Sequence, residues 1–170
     1  SVEQLIRVSG IPTTITDDFN LCLSHALILF PSVLNEGDLS DEQINQLNQF
    51  VEDGGSIIFS GLNDPRLFEI SGVDNSQLRR NRDYLSFTSS LNHRELRWID
   101  DAYEREIKLG STTYNEYFDT YGYRVTDAKV FALFRDGRAG IIKFNPNNSS
   151  SFVYCLCFSL RDLIIRNLLN

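Results

Sequence analysis

Carboxylates stand close together at three places in this 170-residue sequence: Asp17-Asp18, Glu36 with Asp38, and Asp100-Asp101. Two carboxyl groups on either side of a glycosidic bond supply the acid and base of glycoside hydrolysis. In loops, however, acidic pairs more often cap helices and close turns. Ser60 ends an apolar run and offers a hydroxyl nucleophile. A serine hydrolase would need His93 as base and Asp64 or Asp100 to orient it, and no G-x-S-x-G pattern surrounds Ser60. Three cysteines cannot close a disulfide framework, and Cys155 and Cys157 sit inside FVYCLCF, where cysteine serves as a small hydrophobe. His25 and His93 lie far from any metal-ligand spacing, so neither a metal nor a cofactor is expected.

Aromatic residues offer a second kind of chemistry. Five of the seven tyrosines fall within 103–123, and Tyr114, Tyr117, Phe118 and Tyr121 follow i, i+3, i+4, i+7 spacing. On a helix these four form one stripe. The stripe either packs against a sheet or presents an aromatic surface that stacks on a sugar ring or receives a partner domain. Arg79, Arg80 and Arg82 form the only basic cluster, read as a solvated loop or as a contact for a phosphate or an acidic glycan. A net charge of −7 disfavours a nucleic-acid partner, which calls for a basic surface.

The elements that must position these residues alternate between helix and strand. Ser1 to Ser9 reads as a capped helix stopped at Gly10, and Ile11 to Ile15 as a β-prone stretch in which Pro12 argues for an edge or a strand start. Ala26 to Phe30 is apolar on both faces and stops at Pro31, the pattern of a central parallel strand. Ser40 with Gln43 forms a capping box for a helix whose stripe is Ile44, Leu47, Phe50 and Val51. Gly54-Gly55 ends that helix before the buried strand Ser56 to Ser60, giving a strand, a right-handed crossover helix and a strand.

Asp64-Pro65 opens a short helix that Gly72 ends. Residues 74–125 show no sustained period, although Tyr84 to Thr88 and Tyr103 to Leu109 have strand character, and they read as an insertion or an elaborated sheet edge. Lys129 to Phe134 and Gly140 to Phe144 flank an Asp136-Gly137 hairpin turn. The strand Phe152 to Phe158 follows, and Ser159 caps a last helix with Leu160, Leu163, Ile164 and Leu168 on its apolar side. The chain reads as one α/β domain over 1–170 cut from a longer polypeptide. No apolar run reaches the roughly 20 residues of a membrane span.

Three segments together resemble the class I glutamine amidotransferase-like superfamily, in particular non-catalytic members found beside glycosidase and polysaccharide deacetylase domains. They are ALILFPSVLNEGDLSDEQINQLNQFVEDGGSIIFSG, the helix exit at Gly10, and the hairpin, strand and helix from Lys129 to Leu169. The resemblance implies a flavodoxin-like three-layer sandwich with a mostly parallel central sheet and an antiparallel C-terminal hairpin extension. It also implies a cysteine at the elbow after the strand Ile57 to Ser60 and a histidine after a late strand. Here the elbow reads Phe59-Ser60-Gly61-Leu62-Asn63 and the late stretch Cys157-Phe158-Ser159-Leu160-Arg161-Asp162, so both positions lack the required residue.

The expected function is accordingly an accessory or scaffolding module of a carbohydrate-active protein, acting through domain or subunit contacts. The alternatives are a glycan-binding module using the tyrosine surface and, less favoured, the serine hydrolase. In open α/β sheets ligands bind outside the carboxyl ends of the parallel strands. That places Asn35, Glu36, Ser60, Asn63, Asp64 and Arg66 around the candidate crevice, with the first two and last three suited to a polyol.

Overall fold

The structure, a computed structural model, describes residues 2–88, 94–96, 105–111, 116–117, 119–146 and 150–162. Helix α1 spans Val2–Val8 and ends at Gly10, whose φ of 74° is left-handed backbone that glycine adopts without penalty. Residues 11–16 follow as an irregular segment and not as the expected strand. Pro12 has no N–H to give a ladder, and Ile11 and Ile15 remain exposed. A short helix that the sequence reading missed, α2 over Phe19–Leu23, is capped by the Asp18 side chain on the backbone N–H groups of Asn20 and Leu21.

Strand β1 is Leu27–Phe30, β2 is Leu34–Asn35, and helix α3 is Asp41–Glu52. The capping box is present in full: Ser40 Oγ accepts from Gln43 N–H while Gln43 Oε1 accepts from Ser40 N–H. Ile44, Leu47 and Val51 are buried and Phe50 is partly buried. At Gly55 a Cβ would run into the Phe50 ring, so the second glycine of the pair lets the chain turn tightly under its own helix. Strand β3 is Ser56–Ser60 and β4 is Leu62–Asn63. The Asp64-Pro65 start opens a 3₁₀ turn over Pro65–Leu67, followed by α4 over Phe68–Ser71 and a left-handed Gly72.

Nine further strands complete the described chain. They are β5 Val73–Arg79, β6 Tyr84–Phe87, β7 Glu106–Lys108, β8 Gly110–Ser111, β9 Glu116–Tyr117, β10 Thr120–Val125, β11 Lys129–Phe134, β12 Ala139–Phe144 and β13 Val153–Leu156. The main sheet runs β1-β3-β13-β12-β11-β6-β7, with β10 joined to the end of β12 and β5 joined to β10. This is a mixed α/β architecture. Parallel pairing in the main sheet is confined to β1 with β3 and β3 with β13, and every other described ladder in it is antiparallel.

The expectation of a mostly parallel sheet is therefore corrected. The 74–125 stretch contributes β6, β7 and β10, with most of β5, all in antiparallel ladders. Strand β1 lies at the end of the described sheet and not at its centre, with Leu27 46% exposed; β3 takes the central place between β1 and β13.

One apolar cluster joins Ile44, Leu47 and Val51 of α3 to Ile57 and Phe59 of β3, Ile142 of β12, and Val153 and Cys155 of β13. A smaller cluster gathers Leu85, Leu109, Ala132, Phe134, Cys157 and Phe158. Burial pushes the Cys155 thiol up to about 12 and Cys157 further still, which keeps both neutral inside the core. Among the described residues no helix is long and apolar enough to cross a membrane.

The cap of α3 gives a direct stability test. Ser40→Ala removes the acceptor for one N-terminal N–H and is expected to cost about 1 kcal/mol. In urea denaturation this appears as a lower midpoint at an unchanged slope.

Candidate functional site

The carboxyl ends of β1, β3 and β13 converge on a tight elbow after Ser60. Gly61 holds φ at 88°, and a Cβ there would lie 2.8 Å from Val33 Cγ2 and 3.4 Å from the Tyr121 ring, so glycine is required twice over. Gly61 N–H donates to Leu156 O at 2.9 Å, and Leu34 N–H donates to Gly61 O at 2.9 Å. Beyond the elbow, β2 and β4 pair in parallel, Leu34 opposite Leu62 and Asn35 opposite Asn63.

Tyr123 closes this place. It comes from β10, is 1% exposed, and puts its hydroxyl between two strand ends. The oxygen accepts from Leu62 N–H at 2.9 Å, and its own proton goes to Leu156 O at 2.8 Å. Burial, then the neighbouring Cys155, holds the phenol well above its ordinary range, so it stays neutral and acts as donor and acceptor together. Tyr121 lies beside it, 7% exposed, with its backbone N–H on Cys157 O at 2.7 Å. An elbow of this kind serves catalysis when its backbone N–H groups point at substrate. Here Gly61 N–H and Leu62 N–H both serve partners within the chain.

The six residues assigned to the crevice divide into separate groups. Ser60 is fully buried at the end of β3, and its Oγ has no hydrogen-bond partner among the described residues. Asn35 and Asn63 meet, Asn63 Nδ2 donating to Asn35 Oδ1 at 3.3 Å, and Ser76 Oγ donates to Asn63 Oδ1 at 2.9 Å. Glu36 sits exposed on the turn that Asp38 ties back to Asn35 N–H.

Asp64 and Arg66 form a lock of their own. Asp64 is fully buried and accepts from Arg66 N–H and Nε, each at 3.0 Å, and from Nη2 at 2.6 Å. The remaining Arg66 donors reach Asp41 Oδ1 at 2.6 Å and Leu39 O at 2.9 Å. Burial by itself would raise the Asp64 carboxyl, yet the hydrogen bonds and charge of Arg66 outweigh it and leave the carboxyl below its usual range. Both side chains thus join the turn after β4 to the start of α3, and neither leaves its charge turned toward a ligand.

The tyrosine stripe is corrected as well. Tyr117 belongs to β9 and Tyr121 to β10, so helical spacing does not relate them, while Tyr114 and Phe118 lie outside the described residues. The governing period is two: Tyr121 and Tyr123 alternate with Gly122 along β10, and both tyrosines are core residues. That alternation in Tyr121-Gly122-Tyr123 was the available signal for Tyr123, which helical spacing passes over. His93, the base of the serine hydrolase reading, and the Asp100-Asp101 carboxylate pair also lie outside the described residues.

No family model and no curated protein matches this sequence. Among solved structures, an exo-β-1,4-mannosidase from Opitutaceae bacterium strain TAV5 is similar at 12% identity, covering 83% of this chain and 22% of that one, with a TM-score of 0.49. A GH42 β-galactosidase from G. stearothermophilus is similar at 15% identity, with coverage of 89% and 22% and a TM-score of 0.46. A β-galactosidase from the Antarctic haloarchaeon Halorubrum lacusprofundi has 14% identity, coverage of 85% and 22%, and a TM-score of 0.47. The chain spans about a fifth of the length of the solved chains it matches.

Two measurements probe the closed strand ends. Tyr123→Phe leaves Leu62 N–H and Leu156 O buried without that hydroxyl, at an expected cost of about 2 kcal/mol in chemical denaturation. For Asp64 the sign follows from its depressed carboxyl: its contribution is complete above the unfolded value, about pH 4, and is lost as the pH falls through the lower folded value. The stability difference between the parent and Asp64→Asn is therefore expected to stay level from about pH 7 to about pH 5 and to shrink below about pH 4.

Proposed function

We propose that this domain is a non-catalytic accessory module of a carbohydrate-active, polysaccharide-modifying protein, acting through contacts with a neighbouring domain or subunit. The observation that carries the non-catalytic part is the Tyr123 hydroxyl, which takes up Leu62 N–H while Leu156 O takes up Gly61 N–H, where a reactive elbow would present free donors. The carbohydrate part rests on the resemblance of the strand, capped helix, paired glycines and strand from Ala26 to Gly61 to amidotransferase-like modules beside glycosidase and deacetylase domains. On the same reading the architecture is the flavodoxin-like three-layer sandwich. The β1, α3 and β3 unit with its parallel pairing supports that arrangement.

The distribution of exposed apolar side chains supports docking. Of the seven large hydrophobic residues exposed among the described residues, five (Val8, Ile11, Ile15, Leu21 and Leu27) fall within positions 8–27. Scattered single exposures are ordinary, whereas five within one stretch of the chain supply apolar area for a neighbouring unit to cover.

The test separates docking from turnover. Ile11→Asp combined with Ile15→Asp is expected to leave the midpoint of the isolated domain within about 2 °C of the parent, because both side chains are already in water. In the polypeptide that carries the domain, the same pair should lower the melting temperature of the neighbouring unit or weaken subunit association in sedimentation. Turnover on glutamine, ester or glycoside panels that Ser60→Ala abolishes would overturn the non-catalytic reading.

A further inference from the structure

Within the basic cluster Arg80 is solvated, its side chain 82% exposed and paired with Asp119, whereas Arg82 is drawn into the fold. Arg82 is 6% exposed, stacks its guanidinium 4.5 Å from the centre of the Phe134 ring, and lies against the backbone of Gly122. A Cβ at Gly122 would sit 2.8 Å from Arg82 Cζ and 2.9 Å from Arg138 Cβ, so glycine makes the room in which both arginines lie over the β5–β10 ladder. Arg82 Nη1 donates to Gln77 O and Thr120 O, each at 3.1 Å, and Nε donates to Asp136 Oδ2 at 3.1 Å. Arg82 Nη2 lies 3.0 Å from the same Oδ2 but without hydrogen-bond alignment, and it has no other acceptor among the described residues.

Charge at this place is out of balance. Arg79 Nη1 also turns to Asp136 Oδ2, at 3.3 Å, while Arg138 Nη1 takes only neutral acceptors, Asn75 Oδ1 at 2.7 Å and Gly122 O at 3.2 Å. Two guanidinium groups, those of Arg79 and Arg82, thus share the Asp136 carboxylate, and that of Arg138 pairs with no carboxylate among the described residues, in a chain whose net charge is −7. On the same ladder Gln77, paired with Gly122, has a buried Oε1 with no donor among the described residues.

We propose that this face of the β5–β10 ladder binds the carboxylate of an acidic saccharide. Guanidinium groups present planar paired donors that match a carboxylate in two-point contact, and Arg79 meets Arg82 at Asp136 Oδ2 while Arg138 lies with Arg82 beside Gly122. The anionic half of the proposal stands on the arginines alone, whereas the saccharide half rests on the carbohydrate-associated reading above.

Calorimetric titration of the whole chain with a trigalacturonate, a neutral galactose trisaccharide and inorganic sulfate tests it. The expected result is saturable binding of the trigalacturonate at least about tenfold tighter than the neutral sugar, weakening as salt rises. Arg79→Gln with Arg138→Gln should reduce that binding at least about tenfold while far-ultraviolet circular dichroism stays unchanged. If the double variant does not fold, Arg79→Gln alone decides, since its side chain is 45% exposed, and a loss of about threefold or more is expected.

Absence of saturable binding, equal binding of the neutral sugar, binding indifferent to the arginine substitutions, or sulfate binding as tightly as the trigalacturonate overturns the proposal; the last means an adventitious ion only. Neutral-sugar binding would leave the carbohydrate-associated reading standing while this inference fails. Acidic-sugar binding with no docking contact would do the reverse.

Discussion

Where two parallel strands end side by side, the chain turns away and leaves backbone groups that water cannot reach. Here one such group is Leu62 N–H after β3, from which the Tyr123 hydroxyl accepts while donating to Leu156 O, a carbonyl that also accepts from Gly61 N–H. A buried polar group without a partner costs more than an ordinary hydrogen bond returns, so the placement of Tyr123 constrains much else. It brings β10 beneath the elbow, where the Tyr121 ring lies against Gly61. At the same residue β10 meets β12, through the single pairing of Tyr123 with Ala139.

Two arginines do comparable work at the margins of the same core. Arg66 draws the turn after β4 against the first turn of α3 through Asp64, Asp41 and Leu39 O. Arg82 joins the end of β5, the start of β10 and the hairpin turn at Asp136. In each case a rigid planar donor set reaches several acceptors from different segments, which a lysine's single ammonium would not do. The difference lies in their balance: Arg66 meets two carboxylates, whereas Arg79 and Arg82 meet the same one.

Local signals were legible where the chemistry is local. The Ser40 and Gln43 box, the glycine pair after α3, the Asp64-Pro65 start and the Asp136-Gly137 turn each depend on residues a few positions apart, and each occurs as read. Strand β5 was hidden because VDNSQLR carries little apolar alternation; its partner β10 and the arginines above it make it a strand. Tyr114 to Tyr121 satisfied a helical spacing by coincidence, while the true period of two began only at Thr120. The crevice residues were placed near the right strand ends, but whether a strand end is open depends on what the rest of the chain lays over it. No spacing within Ser60 to Arg66 records that Tyr123 does so.

The central strand also sets an order of events. β3 pairs with β1 across a single helix, but its other edge waits for β13, where Phe152 N–H meets Ser56 Oγ 96 positions away along the chain. During synthesis Ser56 to Ser60 must emerge with one row of backbone donors and acceptors uncovered until nearly a hundred more residues have followed. Long-range parallel pairing of this sort slows folding and leaves an apolar edge open to pairing with other chains. The segment between the two partners is accordingly under kinetic as well as structural selection: whatever it adds to the surface, it must fold back quickly enough to deliver β13 before another strand takes its place.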